Sequence, residues 1–212
     1  MPDSPTNPQP TFVSRGGLKL LHALTHFQLN IQGITAADFG CSTGGFTDCI
    51  LQNGASKVYA LDTAYGILAW KLRNDKRVIV MERSNCLHAA PPSDVVSAGG
   101  VDLIVIDASW TPQRLVIPAA LTWLKNTPDA RIISLIKPHY EYKDQGNKLP
   151  HGGILDEKTA EQVAQQVAEK MTDLGMQTIG FAKSPILGGS TSNTAKQTGK
   201  GNAEWLWLGK RI

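Results

Sequence analysis

The chain has 212 residues, 42% of them hydrophobic and 18% charged, with a formal net charge of +3. This composition excludes a disordered or coiled-coil protein, the length favours one domain around one core, and the small positive charge permits a nucleic-acid partner without demanding one. The three cysteines, Cys41, Cys49 and Cys86, form no Cys-x-x-Cys pair, and no apolar run reaches the roughly 18 residues of a membrane span, so a cytoplasmic protein with no membrane partner is expected.

Residues 1–11 carry prolines at positions 2, 5, 8 and 10, which disfavour helix and read as a flexible arm ahead of a domain over residues 12–212. Ser14 followed by Leu18, Leu21 and Leu24 at helical spacing predicts a capped helix through about Phe27. Seven β-rich runs then alternate with helical patterns: Ala36–Gly40, Lys57–Asp62, Val78–Glu82, Asp102–Asp107, Arg131–Lys137, Gln177–Ala182 and Ala203–Gly209. That rhythm predicts an α/β fold with a seven-stranded, mostly parallel sheet, about six helices on its two faces, and one antiparallel strand near the end of the chain. The apolar runs stop at Gly40, Asp62, Glu82, Asp107 and Lys137, so the carboxyl edge of the sheet is the expected active site. Two polar segments, His139–Gly153 and Gly188–Gly201, are long enough to read as mobile loops at the substrate mouth.

The densest signal lies in residues 36–48, where Asp38, Gly40, Ser42, Gly44, Gly45 and Phe46 occupy a strand-to-helix turn. Glycines let the backbone bend sharply and approach a ligand, and Asp62 stands 22 residues past Gly40, close to the roughly 20 expected of a ribose-holding carboxylate. The Gly-x-x-x-Gly-Gly spacing differs from the Gly-x-Gly-x-x-Gly that seats a pyrophosphate, so a cofactor without phosphates, such as S-adenosylmethionine, fits better than NAD. Without Asp62, a tight connection with no ligand would explain the turn equally well.

Asp107 and Lys137 can meet if their strands are neighbours, which alone would indicate no more than a strand-end salt bridge. Their surroundings carry more. Ser14-Arg15-Gly16-Gly17-Leu18-Lys19-Leu20, residues 40–48, Ala64-Tyr65-Gly66 with Ala69-Trp70-Lys71-Leu72-Arg73, Glu82-Arg83-Ser84-Asn85, Leu135-Ile136-Lys137-Pro138 and Gly201-Asn202-Ala203-Glu204 follow one another in order. Together they resemble the hemolysin-A-type (TlyA-like) branch of the FtsJ-like RNA 2′-O-methyltransferases, over residues 13–209. The resemblance implies a Rossmann-like S-adenosylmethionine-dependent methyltransferase fold, a catalytic tetrad of Lys19, Asp107, Lys137 and Glu204, and cofactor contacts from Gly44, Phe46, Asp62, Asn85 and Asp107. It also implies an RNA substrate, ribosomal in particular. Where that branch carries a small RNA-binding domain ahead of the Ser-Arg-Gly-Gly segment, this sequence has the proline-rich stretch. Trp110 replaces the usual phenylalanine, and His139-Tyr140 follows Pro138 where glutamine and phenylalanine are usual.

Methyl transfer to a ribose hydroxyl is an in-line displacement that needs a positioned oxygen and a destination for its proton. Lys137 is the candidate to receive or stabilise that proton. Burial and Lys19 would lower its pKa while Asp107 and Glu204 would raise it, leaving open a neutral base or a charged stabiliser. The segment after Asp107 lacks the Pro-Pro of amino-group methyltransferases, and no cysteine stands there for attack on a pyrimidine. Arg15, Lys19, Lys137, Lys143, Lys148, Lys196 and Lys200 could converge on an RNA backbone. The competing readings are a methyltransferase of small molecules or proteins on the same scaffold and a non-catalytic RNA-binding or assembly factor. His22 and His26 stand four apart but lack a third ligand, so no metal is expected, and Trp205 and Trp207 alternate as sheet-face packing would.

Overall fold

The computed structural model describes residues 11–189 and 201–212. Its strands are β1 (Thr35–Phe39), β2 (Lys57–Leu61), β3 (Val78–Met81), β4 (Leu103–Ile106), β5 (Arg131–Ile136), β6 (Met176–Lys183) and β7 (Trp205–Arg211). Its helices are α1 (Gly16–His26), α2 (Gly45–Gln52), α3 (Trp70–Arg73), α4 (Ser93–Ser97), α5 (Gln113–Leu121), α6 (Pro138–Asp144) and α7 (Glu157–Glu169), the last running into a 3-10 turn at Lys170–Leu174. The strands form one sheet in the order β3-β2-β1-β4-β5-β7-β6. All pairings from β3 to β5 are parallel, and β7 inserts antiparallel between β5 and β6.

The central strands read as continuous apolar runs because both of their faces are covered. On one face Phe39, Ile104, Ile132 and Trp207 pack with Trp123 and the buried side of α7. On the other, Ala36, Val105, Ile133 and Leu206 pack with Leu20 and Leu24 of α1 and Phe46 and Ile50 of α2. Trp205 and Trp207 are buried sheet-face residues, and the Trp207 indole N–H donates to Thr178 Oγ1 at 2.8 Å, so its one polar atom is satisfied.

Two local expectations are corrected. Ser14 does not cap α1 through its side chain: Arg15 occupies the N-cap position, and the Ser14 carbonyl accepts the Gly17 N–H at 3.1 Å. The segment expected to be a loop from His139 begins instead as α6, because Pro138 at the first helical position presets the backbone and lacks only an N–H that a helix start leaves unpaired. The second such segment lies mostly outside the described residues, as does nearly all of the proline-rich arm. Among the described residues no helix is long and apolar enough to cross a membrane.

The chain crosses from β3 back past β1 to β4, so β1 and β4 flank the point where the strand order reverses. Loops leaving their carboxyl ends diverge and open a crevice there.

Candidate active site

The turn after β1 is shaped by close approaches. Gly40 adopts φ +87, and a Cβ there would stand 2.8 Å from the Asp107 carbonyl oxygen, so only glycine lets the ends of β1 and β4 meet. Gly44, at φ +97, fits under Leu68 and Leu72, while Gly45 lies beneath the Ser14 hydroxyl and the Gly17 N–H, locking the starts of α1 and α2 together. Asp62, one residue past β2, accepts the Ser42 N–H on Oδ2 and the Ala64 N–H on Oδ1, both at 2.8 Å. A carboxylate offers about four lone-pair positions, so the same group retains capacity for a diol.

Two cavities open on this turn. One, of about 260 Å³, is lined by Ser14, Arg15, Gly16, Lys19, Phe46, Gly45, Leu187 and Gly189. The other, of about 340 Å³, is lined by Leu61, Asp62, Ile67, Ser84, Cys86, Ala108, Ser109 and Trp110. Both share Gly40, Ser42 and Asp107 as walls. An elongated ligand with a polar amino-acid end and an apolar heterocycle on a ribose matches this chemistry: backbone and hydroxyl groups on one side, Asp62 between, and Leu61, Ile67 and Cys86 on the other. Six of the residues expected around a cofactor line these walls: Gly40, Ser42, Gly45, Phe46, Asp62 and Asp107. Three do not line them. Gly44 is packed against leucines; Asn85 accepts the Leu87 N–H at 3.0 Å in the turn after β3; and Asp38 is fully buried beneath the turn.

The Thr47 hydroxyl donates to Asp38 Oδ2 at 2.6 Å, and Asp38 Oδ1 has no hydrogen-bond partner among the described residues. Burial, opposed by that hydrogen bond and assisted by the Asp107 carboxylate, lifts its pKa to about 7.

Four side chains from distant segments gather in two ion pairs at the edge of the first cavity. Lys19 on α1 meets Glu204, just before β7, at 2.5 Å, and Lys137, just after β5, meets Asp107, just after β4, at 2.5 Å. The second contact is off the line of an aligned hydrogen bond and leaves Asp107 Oδ1 able to accept another donor, while Lys137 also reaches the Ser109 hydroxyl at 3.2 Å. The pairs sense each other: Glu204 contributes to the field at Lys137, and both Lys137 and Asp107 contribute at Glu204. Burial pulls the Lys137 pKa down, but the Asp107 carboxylate at contact distance and Glu204 outweigh it, so Lys137 lies above its ordinary value and is an ammonium at neutral pH. Burial holds Glu204 above the usual carboxylate range in spite of Lys19.

Each group is held from behind. Glu204 packs under Gly188, where any Cβ would collide with its Oε1, and the buried Asn202 ties its segment to Leu155 N–H and the Gly153 carbonyl at 3.1 and 3.0 Å. The loops bearing Asp107 and Lys137 are joined by a strap: Glu141 accepts the Gln113 N–H at 2.9 Å, and Ser134 donates to Gln113 Oε1 at 2.7 Å. Burial raises Glu141 to about 7. Beside Lys137, His139 is buried with its pKa lowered to about 4 by burial and the Lys137 charge. Trp110, 65% exposed and at φ +64, lies 4.8 Å from the Tyr140 ring centroid.

Ser109, Gln113, Glu141 and Asn202 belong to the site without any role being legible for them in the sequence. Only Asn202 lies in one of the family motifs; the strap couples residues 21 and 28 positions apart, beyond any local pattern. The expected basic convergence is only partial, since Lys19 and Lys137 are matched by carboxylates, and Lys196 and Lys200 lie outside the described residues. His22 and His26 stack on each other at 5.6 Å, and no group of three metal-ligating side chains occurs among the described residues.

The strand order with its reversed seventh strand is the Rossmann-like fold of S-adenosylmethionine-dependent methyltransferases. Residues 12–195 match the FtsJ-like methyltransferase family, and the chain belongs to it. It is 38% identical over 204 residues to the 16S/23S rRNA (cytidine-2'-O)-methyltransferase TlyA of Mycobacterium tuberculosis, covering 96% of this chain and 70% of that protein. It is 41% identical over 180 residues to YqxC of Bacillus subtilis, covering 84% of this chain and 62% of that protein. Thus the chain spans between three-fifths and three-quarters of the length of these relatives. The solved structure of a hemolysin-like protein from Streptococcus thermophilus superposes with a TM-score of 0.82 at 35% identity, covering 98% of this chain and 70% of that one.

Proposed function

We propose that this chain transfers a methyl group from S-adenosylmethionine to a ribose 2′-hydroxyl of RNA, ribosomal RNA in particular, with Lys19, Asp107, Lys137 and Glu204 as its catalytic groups. The observation that carries the reading is that Asp107, which walls both cavities, meets Lys137 at 2.5 Å, beside the Lys19–Glu204 pair. The family membership and the TlyA relative support it.

The cofactor supplies an electrophilic methyl on a sulfonium. Asp62 accepts from its ribose hydroxyls, and the glycine turn keeps side chains out of its path. Asp107 orients Lys137, and the Lys137 ammonium donates to the acceptor oxygen, stabilising the negative charge that builds as the hydroxyl proton passes to solvent; that oxygen then takes the methyl as the methyl–sulfur bond breaks, its electron pair staying on a neutral thioether. Lys19 and Glu204 complete an overall neutral set of four charges, so a buried cation at Lys137 needs no distant counter-ion. Trp110 and Tyr140 present aromatic surface beside Lys137 on which the target base can stack.

Ribose methylation mapped in total RNA from cells with and without the protein tests the assignment. One or a few 2′-O-methyl positions, missing without the protein and restored by the purified chain with S-adenosylmethionine, are expected. An unchanged map, with methyl transfer to a small molecule or protein instead, would overturn it.

A further inference from the structure

The chain's positive charge is concentrated. Residues 63–85 contain five Lys or Arg (Lys71, Arg73, Lys76, Arg77 and Arg83) against two acids, Asp75 and Glu82, a surplus of three that equals the net +3 of all 212 residues. The rest of the chain is balanced, and a local surplus of cations is the electrostatic footprint of a polyanion site.

The same segment presents its large side chains outward. Tyr65 is 68% and Trp70 77% exposed, where aromatic residues of this size are ordinarily packed. Arg83 lies over the Tyr65 ring, 4.5 Å from its centroid, with its backbone at φ +53. Lys71, beside Trp70, holds Asp48 at 2.9 Å yet keeps half its side chain exposed. Arg73 and Arg77 are engaged by Glu82 and Asp75, whereas Arg83 pairs with no carboxylate among the described residues.

Position adds the second argument. The segment includes β3, the edge strand of the sheet, and Ile67, between Tyr65 and Trp70, lines the same cavity as Trp110. A strand whose target nucleotide lies beside Trp110 and Lys137 can therefore continue across the cavity mouth onto this surface. Flat aromatic faces with flanking cations bind single-stranded nucleic acid by stacking and by charge attraction to the phosphates, largely without regard to sequence.

We propose that Tyr65, Trp70, Lys71 and Arg83 form a second RNA-contacting surface, which holds unpaired nucleotides flanking the one that is methylated. This rests on the reading of the substrate as RNA. The surface gives the fold a means of gripping RNA beyond the target nucleotide, using stacking and charge at a distance from the reacting atoms.

The test uses the full chain, a fluorescein-labelled single-stranded oligoribonucleotide of mixed sequence, and anisotropy titrations over a range of salt. Trp70→Ala is expected to weaken binding about fivefold or more, and Trp70→Phe to restore most of it. Arg83→Gln is expected to weaken binding and to flatten the slope of log affinity against log salt by about 0.7 for each phosphate that is no longer neutralised. Calorimetric affinity for S-adenosylmethionine and the thermal midpoint should be those of the unaltered chain in both variants, separating surface loss from misfolding. RNA binding by the unaltered chain that neither variant weakens would overturn the surface alone. No RNA binding by the unaltered chain would overturn the substrate reading with it. Concentration-dependent self-association abolished by Trp70→Ala would also overturn the proposal, identifying the patch as an interface between copies.

Discussion

The two sides of the crevice are built by opposite means. On the proposed cofactor side, β1, its glycine turn, the start of α2 and Asp62 come from one stretch of chain, and their shape is set by backbone contacts such as Gly40 against Asp107 and Ser42 N–H on Asp62. On the proposed acceptor side the four charged groups come from α1 and from positions bordering β4, β5 and β7, and Lys19 and Glu204 lie 185 residues apart. The first side is local and mostly backbone, so it tolerates changes outside its own segment. The second depends on long-range packing and on charge balance, so a single substitution there leaves a buried ion without its partner.

The largest effect is expected at Lys137. Lys137→Ala should retain cofactor affinity but lower the methylation rate about 10²–10⁴-fold, as measured in single-turnover assays. Equal loss of both would erase the proposed division between the two sides. Because Asp107 and Glu204 hold Lys137 above its ordinary pKa, the unaltered rate should stay flat between about pH 7 and 9; a tenfold rise per pH unit would instead show a neutral amine acting as base.

Breaking the other pair tests charge balance. Lys19→Met strands Glu204 in a buried position and should cost about 3–5 kcal/mol in urea unfolding, most of it recovered by the double variant with Glu204→Met. A loss below about 1 kcal/mol would mean that the pair behaves like a surface salt bridge.

Asp62→Ala probes the local side. Loss of a charged acceptor should weaken S-adenosylmethionine binding by about 10–100-fold in calorimetry, through the missing ribose hydrogen bonds and the loosened Ser42 and Ala64 amides. Unchanged affinity would remove Asp62 from the cofactor site.

The smallest effect concerns the strap behind Lys137. Glu141 in the fold titrates at about 7 instead of its ordinary 4.5, because burial disfavours its charge. Its contribution is therefore fully favourable below the unfolded pKa and is lost as pH rises through 7. Glu141→Gln keeps an oxygen acceptor for the Gln113 N–H and carries no charge. It should stabilise the protein by about 1–2 kcal/mol at about pH 8 and by nearly nothing at about pH 4. A gain of equal size at both values would show that charge is not the cause. His139, lowered to about 4, favours stability at higher pH and shifts both proteins alike, so the difference between them isolates Glu141.

Legibility followed the same division. The strand runs were readable because central strands buried on both faces are continuous apolar segments, and the carboxyl-edge residues stood out because each ended such a run. Asp107 and Lys137 could be paired from sequence only by assuming adjacent strands, which the β4–β5 register confirms. Lys19 and Glu204 carry no periodic signal and are reached through family motifs. The Gln113–Glu141 strap and the Asn202 clamp are not legible as parts of the site, since neither leaves a pattern between the partners. The helix at α6 escapes a sequence reading because polar, glycine-containing sequence after Pro138 outweighs the helix-starting geometry of the proline itself.

By itself, the sequence determined the alternation of elements, the glycine turn and the carboxylate at the end of β2, because these depend on backbone geometry and burial over short stretches. Only the tertiary structure decided which charges are neutralised by which, and hence that Lys137 is an ammonium: that balance turns on distances of a few ångströms between residues brought together by the sheet.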